Sequence, residues 1–126
     1  MSQATPEQEQ TEQQQNGQPF DGEREHVYLS PRYQRTGSGE PPHFVAQLVD
    51  LSGGAVPGAE IHFLVRSTRQ EIATAVTNDN GEALTDQLGG GLLLMNAAID
   101  GCRAVFHGSD RYCPQETDFR LPPVLL

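Results

Sequence analysis

The 126-residue chain contains no tryptophan and no lysine, so all eight of its basic residues are arginine. It also lacks nucleophile motifs: there is no G-x-S-x-G sequence and no Gly-rich phosphate loop ahead of a helix. Seventeen acidic residues bring the net charge to −9. This balance argues against nucleic acid or an anionic membrane surface as the main partner, because both require clustered positive charge.

Long apolar runs are absent as well. The longest, LLLM within GLLLMNAAI, is far shorter than the roughly 20 residues of a membrane-spanning helix, so we expect no membrane insertion. The first ten residues, MSQATPEQEQ, have neither the basic start nor the apolar stretch of a signal peptide. We therefore expect cytosolic synthesis, followed by a cytoplasmic location or by exit through a route other than ordinary secretion. A processed chain is the alternative.

Clusters of metal-binding or catalytic residues are not evident. The two cysteines, Cys102 and Cys113, do not have C-x-x-C spacing, and no H-E-x-x-H sequence is present. Carboxylates are spread over different predicted strands without a sign of pairing. We predict no metal, no cofactor and no catalytic residue, and therefore a protein that is not an enzyme. The four histidines are scattered at His26, His43, His62 and His107.

The N-terminal part of the chain differs in composition from the rest. Residues 1–25 contain six acidic residues and one arginine, a charge of −5 out of −9. This acidic, Gln-rich tail cannot bury enough apolar surface to offset the entropy of ordering, so we predict a disordered or extended N-terminal arm. Residues 26–42 are interpreted as a connecting arm or linker. Within them, HVYLSPRYQR is either a first strand ended by Pro31 or a loose arm. The folded domain is predicted for residues 43–126.

From residue 43 onward, short apolar runs alternate with turn residues. In EIHFLVR, the side chains of Ile61, Phe63 and Val65 share one face, which indicates a half-buried strand. HFVAQLVD, EIATAVT, EALTDQL, CRAVF and DFRL are further predicted strands, and LSGGAVPG and NDNG are predicted turns. LLLMNAAI is interpreted as a core strand that a turn at Asp100–Gly101 can join to CRAVF, with a short helix as the alternative. The pattern predicts an all-β sandwich.

Three segments in series resemble bacterial immunoglobulin-like repeats of the invasin type. FVAQLVDLSGGAVPGAEIHFLV resembles their opening strand, G-x-PVPGA turn and second strand. TAVTNDNGEA resembles their T-x-x-T-D-x-N-G-x-A turn, and AVFHGSDRYCP their closing A-x-F-x-G-D-x-x-Y-x-P hairpin. The resemblance covers residues 43–114 and implies an immunoglobulin-like β-sandwich of about seven short strands. GGGLLLMNAAIDG is longer than the usual connection, and Ser109 replaces a common acid, which leaves the strand register after Gly91 open.

The segment AVFHGSDRYCP begins two residues after Cys102 and contains Cys113. Gly108 permits the turn, and Phe106 and Tyr112 flank it where their rings can close one end of the sandwich. Cys102 and Cys113 are candidates for a cross-strand disulfide that would stabilise this hairpin. The alternative is a pair of reduced, buried thiols that pack as small apolar side chains.

Two other segments suggest a protein interface. SPRYQR combines two arginines with a tyrosine, which is typical of interface anchors, with a solvated arm as the alternative. The sequence LPPVLL ends in three apolar residues that pack either on this domain or on a neighbour. The candidate interface residues are Arg32, Tyr33, Arg35, Val124, Leu125 and Leu126.

The leading functional hypothesis is a non-enzymatic immunoglobulin-like module that decorates or attaches to a larger assembly. Domains that resemble this one usually occur as repeats in exported surface proteins, whereas here a single domain follows an acidic tail. A bacteriophage virion reconciles cytosolic synthesis with an extracellular destination. In a virion, capsid or tail proteins would be the partners, with capsid decoration or a tail accessory role as the function.

Two alternatives belong to other classes. The first is a cell-surface adhesion or carbohydrate-binding domain, which would bind glycans through an exposed aromatic platform. The second is a small enzyme on a transthyretin-like sandwich. Such enzymes gather histidine and arginine at a subunit interface, so His26, His43 or His62 with Arg66 would be the candidates.

Overall fold

Short strands separated by turns run through the chain, as the alternating apolar pattern predicts. The computed structural model describes residues 24–35, 42–86, 88 and 92–121, and most of the predicted N-terminal tail lies outside these residues. In chain order the elements are β1 (Val27–Gln34), β2 (His43–Asp50), β3 (Glu60–Val65), β4 (Glu71–Val76), β5 (Glu82–Leu84), α1 (Leu92–Asp100), β6 (Cys102–Phe106) and β7 (Gln115–Phe119).

The strands form two antiparallel sheets, one in the order β1-β2-β5 and the other in the order β4-β3-β6-β7. In a constant-type immunoglobulin domain, the first, second, fifth and fourth strands form one sheet and the third, sixth and seventh form the other. The present order differs only in the fourth strand, which pairs with the third. The predicted all-β sandwich of about seven short strands is confirmed.

The core lies between the two sheets and is built on aromatic rings. The ring of Phe44 on β2 stacks on Phe63 of β3 at a centroid distance of 5.1 Å, and Phe119 of β7 meets Phe44 edge-on at 5.4 Å. Ile61 and Val65 are buried with Phe63, as the period-two pattern of β3 predicts. Alternation along β3 thus directs one side-chain row into the core.

β1 begins the sandwich earlier than predicted. Val27 and Leu29 are buried, and the strand pairs with β2 along all eight of its residues. It is therefore an integral strand, although it lies within the segment interpreted as a connecting arm. Pro31 does not end it, because β1 is an edge strand and a proline there can turn its missing N–H away from the ladder.

The segment LLLMNAAI forms the helix α1, so the prediction of a core strand is wrong and the helix alternative is correct. Leucine, methionine and alanine favour helix over strand. Ala97 is buried against the core, and Leu93 and Leu94 pack there in part. Gly101 follows the helix with φ +92°, and its N–H donates to Ala97 O at 2.8 Å. Asp100–Gly101 is therefore a helix terminus rather than a strand hairpin.

The two ends of the sandwich differ in what covers them. One end, which we call the loop end, has the β2–β3, β4–β5 and β6–β7 connections, at residues 51–59, 77–81 and 107–114. The opposite end, which we call the helix end, has α1 and the β3–β4 turn at residues 66–70. Because β1 and β7 both run from the loop end to the helix end, their last residues lie at the same end of the molecule.

Candidate interaction surfaces

The β6–β7 hairpin closes the loop end as its sequence predicts. Phe106 is buried and Tyr112 packs in part against the core. Gly108 has φ +91°, which a glycine adopts without steric penalty. Ser109 N–H donates to Tyr112 O at 2.9 Å, and Tyr112 N–H donates to Ser109 Oγ at 3.1 Å. The hairpin thus has an ordered tip with an aromatic side chain beneath it.

The chain that precedes β1 is bound to this hairpin. Glu25 N–H donates to Arg111 O at 2.8 Å, and Cys113 N–H donates to Glu25 O at 2.8 Å, which makes a short parallel bridge. Arg111 Nε also lies 3.2 Å from Glu25 Oε2, and its guanidinium is 5.1 Å from the centroid of the Tyr112 ring. Hydrogen bonding to Glu25 raises the pKa of Arg111. The loop end therefore satisfies its own polar groups.

A shallow cleft of about 180 Å³ opens between the β2–β3 loop and the hairpin. Its polar side chains are Glu60, Ser109 and Tyr112. Among the described contacts, no hydrogen bond joins two of these side chains as an acid–base or nucleophile–base pair. The cleft has room for a small side chain rather than a metabolite. It is lined by Val56, Pro57, Gly58, Ala59, Glu60, Phe106, Gly108, Ser109 and Tyr112.

The two cysteines are too far apart for the predicted cross-strand disulfide. Cys102 begins β6 at the helix end, whereas Cys113 lies beyond Phe106 at the loop end. Four strand residues at about 3.3 Å each separate Cys102 from Phe106 by about 13 Å. A disulfide needs Cα atoms within about 7 Å. The register therefore excludes the bridge.

Both cysteine side chains are buried, which corresponds to the alternative of small packed side chains. Burial raises the pKa of the Cys102 thiol to about 12. Cys113 Sγ donates to Arg24 O at 3.6 Å. The protonated Cys102 thiol is a poor nucleophile, so this position serves packing rather than chemistry.

The outer face of the four-stranded sheet has a histidine between two carboxylates. His62 Nδ1 lies 2.8 Å from Glu71 Oε1, and His62 Nε2 lies 3.4 Å from Glu60 Oε1. The rings of His62 and His107 are 4.8 Å apart between centroids. Across the described residues, no group of three or more His, Cys, Asp or Glu side chains is arranged to hold a metal ion.

Ion pairs continue across the same face. Arg103 Nε lies 2.6 Å from Asp118 Oδ1, and Arg69 Nη2 lies 3.1 Å from Glu116 Oε2. The hydrogen bond with Arg103 lowers the pKa of Asp118. On this outer face Leu64 and Val105 are nevertheless buried. The charged side chains therefore cover two apolar residues, and the face presents charge to solvent.

The residues considered for a small enzyme do not meet in one chain. His62 lies on the four-stranded sheet, and Arg66 follows four residues later in the β3–β4 turn, about 13 Å along the strand direction. His26 precedes β1 at the loop end, whereas His43 begins β2 at the helix end. No described contact joins any two of these four side chains. Because they are separated, the described residues of one chain do not bring these candidates together as a catalytic group.

Most described aromatic rings are in the core or packed against it. Phe44, Phe63 and Phe106 are buried, and Phe119 and Tyr33 pack in part against them. The most exposed aromatic side chain of the described residues is that of Tyr28, at 57%. A single tyrosine does not form the aromatic platform that the glycan-binding alternative requires.

The predicted interface residues of SPRYQR lie on β1 and just after it, at the helix end. Arg32 is exposed and its Nε donates to Gln34 Oε1 at 3.2 Å, while Arg35 Nη2 donates to Tyr33 Oη at 3.2 Å. Tyr33 is half-buried against the core. This segment is therefore an ordered strand end rather than a loose arm. The other predicted interface residues, Val124, Leu125 and Leu126, lie outside the described residues.

Sequence reasoning missed an apolar stripe on α1. Met95 and Ile99, four residues apart, face outward with exposures of 52% and 61%. We call this pair the α1 stripe. The i, i+4 spacing would have revealed it, but only for a helix, and the segment was interpreted as a strand. Beside it, Arg66 Nε donates to Asp100 O at 3.1 Å and Ser67 Oγ donates to Asp100 Oδ2 at 2.8 Å.

Comparisons with known proteins do not supply a family. No family model, curated protein or solved structure matches this chain. Within the part of the chain that the structure describes, no helix has the length and apolar character needed to cross a membrane. The surfaces of the molecule itself are therefore the basis for inferring its function.

Proposed function

We propose that this protein is a non-enzymatic interaction module that binds a larger assembly through its helix end. The observation that supports this most directly is the α1 stripe. Fully burying an aliphatic side chain of this size contributes about 1.5–3 kcal/mol, so two such side chains at one spot favour a protein partner. They lie next to the polar groups of Arg66, Ser67 and Asp100. An apolar centre with a polar rim is the usual anatomy of an interface.

The stripe is distinct from the other exposed apolar side chains. Tyr28 and Leu51 lie at the loop end, Val76 is next to the charged outer face of the four-stranded sheet, and Leu84 lies on β5 opposite Val45. Isolated apolar residues of this kind are normal on protein surfaces, whereas two on one helix face form a patch. The exposed Arg32 and Arg35 at the same end of the sandwich add interface-type side chains.

We further propose that the assembly is a bacteriophage virion, with capsid or tail proteins as partners. This part of the proposal depends on the resemblance of residues 43–114 to repeats of exported surface proteins. The strand order of the sandwich supports the fold that the resemblance implies. A charge of −9 disfavours direct attachment to packaged nucleic acid.

The proposal is tested with particles purified from the natural source by density-gradient centrifugation. We expect the chain to co-sediment with virions at a fixed copy number per particle, measured by quantitative mass spectrometry. Particles assembled with the variant Met95→Gln/Ile99→Gln should retain at least ten-fold less of the chain.

The matched control is Tyr28→Gln/Leu51→Gln, which removes two exposed apolar side chains at the loop end and should leave particle binding unchanged. A chain found only as a soluble monomer away from particles contradicts the virion proposal. Equal loss of binding in both variants contradicts the assignment to the helix end.

A further inference from the structure

Positive charge is concentrated at one end of the sandwich. Of the eight arginines of the chain, two lie at the loop end and six lie at or near the helix end, namely Arg32, Arg35, Arg66, Arg69, Arg103 and Arg120. The described carboxylates at or near the helix end are Glu71, Asp86, Asp100 and Asp118. The described part of the helix end is therefore basic, although the chain as a whole has a net charge of −9.

The arginines at this end differ in whether a carboxylate already neutralises them. Arg69 and Arg103 form ion pairs with carboxylates of β7. Arg66 has no carboxylate partner among the described residues, and its Nε donates instead to the backbone oxygen of Asp100 at 3.1 Å. Arg120 is exposed and makes no hydrogen bond or ion pair with another described residue. Arg66 and Arg120 thus have N–H donors left for a partner.

These two arginines line one cleft. β3, β6 and β7 are paired at the helix end, and Arg66, Gly101 and Arg120 lie one residue beyond the paired positions. Neighbouring strands are about 4.8 Å apart, so the Cα atoms of the two arginines are about 10 Å apart across Gly101. The cleft has a volume of about 360 Å³, and Asp118 and Phe119 complete its lining.

Gly101 keeps this cleft open. A Cβ atom at that position would lie 3.2 Å from Arg66 Nε and 3.8 Å from Phe119 O, in the space between two lining residues. The cleft also adjoins the α1 stripe, because Arg66 contacts Asp100, the last residue of α1, and Ile99 precedes it. An arginine-lined cleft and an exposed apolar patch are therefore continuous.

We propose that the cleft between Arg66 and Arg120 binds a carboxylate of an acidic segment in the partner protein, whose apolar residues cover the α1 stripe. Guanidinium groups bind carboxylates through two parallel N–H donors, which gives the contact a defined geometry. The inference rests on the proposed function and adds the chemistry of the partner.

The charges beside the cleft favour a carboxylate over a phosphate. Asp118 lines the cleft and Asp100 is next to it. Both would repel a doubly charged phosphate more strongly than a singly charged carboxylate. A phosphate would also leave the α1 stripe uncovered, whereas an acidic segment with apolar residues would bury it and complete an interface with an apolar centre.

The first experiment is an NMR titration of the full chain with a blocked hexapeptide of four glutamates and two leucines. We expect saturable shifts of the Nε–H signals of Arg66 and Arg120 and of the Gly101 amide. The hexapeptide with glutamine in place of glutamate should bind at least ten-fold more weakly. Saturation by inorganic phosphate at a lower concentration than by the acidic peptide overturns the proposal. Shifts that follow protein concentration without peptide would assign the cleft to a second copy and also overturn it.

Two variants test the cleft residues. Arg120→Gln should weaken peptide binding at least three-fold, and Arg66→Gln/Arg120→Gln at least ten-fold. The control is Arg111→Gln, which removes the same charge at the loop end and should leave binding unchanged. Because the Arg120 side chain contacts no described residue through a polar atom, the single variant tests binding without disturbing the fold. Equal weakening in Arg120→Gln and Arg111→Gln would show a dependence on net charge alone and contradict the assignment to the cleft.

Particle binding separates this inference from the proposed function. If the α1 stripe variant loses particle binding while Arg66→Gln/Arg120→Gln binds as the wild-type chain does, the inference fails and the proposed function stands. If the chain binds the acidic peptide through Arg66 and Arg120 but never associates with an assembly, the proposed function fails and the cleft remains a carboxylate site.

Discussion

Hydrogen-bonded loops close one end of this sandwich, the loop end, whereas the helix α1 covers the helix end. At the loop end, Glu25 bridges to Arg111 and Cys113, and Asp50 Oδ1 accepts from Gly54 N–H at 2.9 Å. At the helix end, Ala97 fills the space under α1 and is fully buried. Hydrogen bonds satisfied within the chain leave nothing for a partner to complete, but a helix that buries one face leaves the opposite face available.

This difference suggests which end of the molecule is sensitive to substitution and which end tolerates it. The shape of the loop end depends on turns that tolerate few substitutions, so the stability of this end should be sensitive to changes in backbone conformation. The outer face of α1 contributes little to folding, so it can vary in response to a partner. Three substitution experiments, ordered by the size of the expected effect, test this contrast.

The largest effect is expected from Gly81→Ala at the loop end. Gly81 has φ +77°, and a Cβ atom there would lie 2.6 Å from the backbone oxygen of Leu48. The positive φ and the clash together should lower the free energy of unfolding by about 3 kcal/mol. Urea denaturation monitored by circular dichroism measures this.

Gly53→Ala is the matched control for that substitution. Gly53 also has a positive φ, +89°, but no atom lies within 4 Å of the added Cβ. Only the conformational penalty remains, and we expect a loss of about 1 kcal/mol. Equal losses at the two glycines would show that contact with Leu48 does not matter.

An intermediate effect is expected from acid. Hydrogen bonds from the Ser52 hydroxyl and from Gly54 N–H lower the pKa of Asp50 at the loop end, and Arg103 lowers that of Asp118 near the helix end. Because both pKa values are depressed in the folded state, their stabilisation is present above the unfolded value of about 3.9. It is lost as the pH falls through the folded pKa values. The contribution of these two carboxylates to stability should therefore be constant from pH 7 to 5 and fall below pH 4.

Asp50→Asn and Asp118→Asn separate the two contributions. Each variant should be less stable than the wild-type chain at pH 7 and should lose less stability between pH 5 and pH 3, as measured by urea denaturation at each pH. A larger change for Asp50→Asn would place the acid-sensitive contacts at the loop end. An acid-induced loss that neither substitution reduces would mean that other carboxylates govern the decline.

The smallest effect on stability is expected at the α1 stripe. Because Met95 and Ile99 face outward, Met95→Gln/Ile99→Gln should change the free energy of unfolding by no more than about 0.5 kcal/mol. Thermal and urea denaturation of the isolated chain provide the measurement. A loss above about 2 kcal/mol would show that the stripe already packs within the chain, and the helix end would then resemble the loop end.

Local patterns were enough to predict the strands of the central sandwich. In β3, Ile61, Phe63 and Val65 recur at every second position, with Glu60 and His62 on the opposite face, and this period places one row of side chains in the core. The turn at residues 78–81 is equally local, since Asn78 Oδ1 accepts from Asn80 N–H at 2.8 Å. The hairpin around Gly108 was predicted for the same reason.

Other features depend on neighbours that are distant in sequence. Pro31 can lie within a strand because β1 is at a sheet edge. In the described sheet, β1 is an edge strand because β2 is its one neighbour. Cys102 begins β6, whereas Cys113 lies beyond the other end of that strand. The strand register sets this distance, and the spacing of the two cysteines in the sequence does not reveal it. Burial of Val105 on the outer face likewise results from the ion pairs above it.

The sequence by itself determined the all-β sandwich, because short-range alternation and turn residues specify strands and reversals without further partners. The residues of LLLMNAAI have high helix propensity, but the tertiary structure decided between the strand and the helix. An apolar run of that length is compatible with a buried strand or a buried helix. In the fold, it connects β5 in one sheet to β6 in the other and covers the core with Ala97. This position of the helix between the two sheets leaves Met95 and Ile99 on the surface, where they form the candidate site.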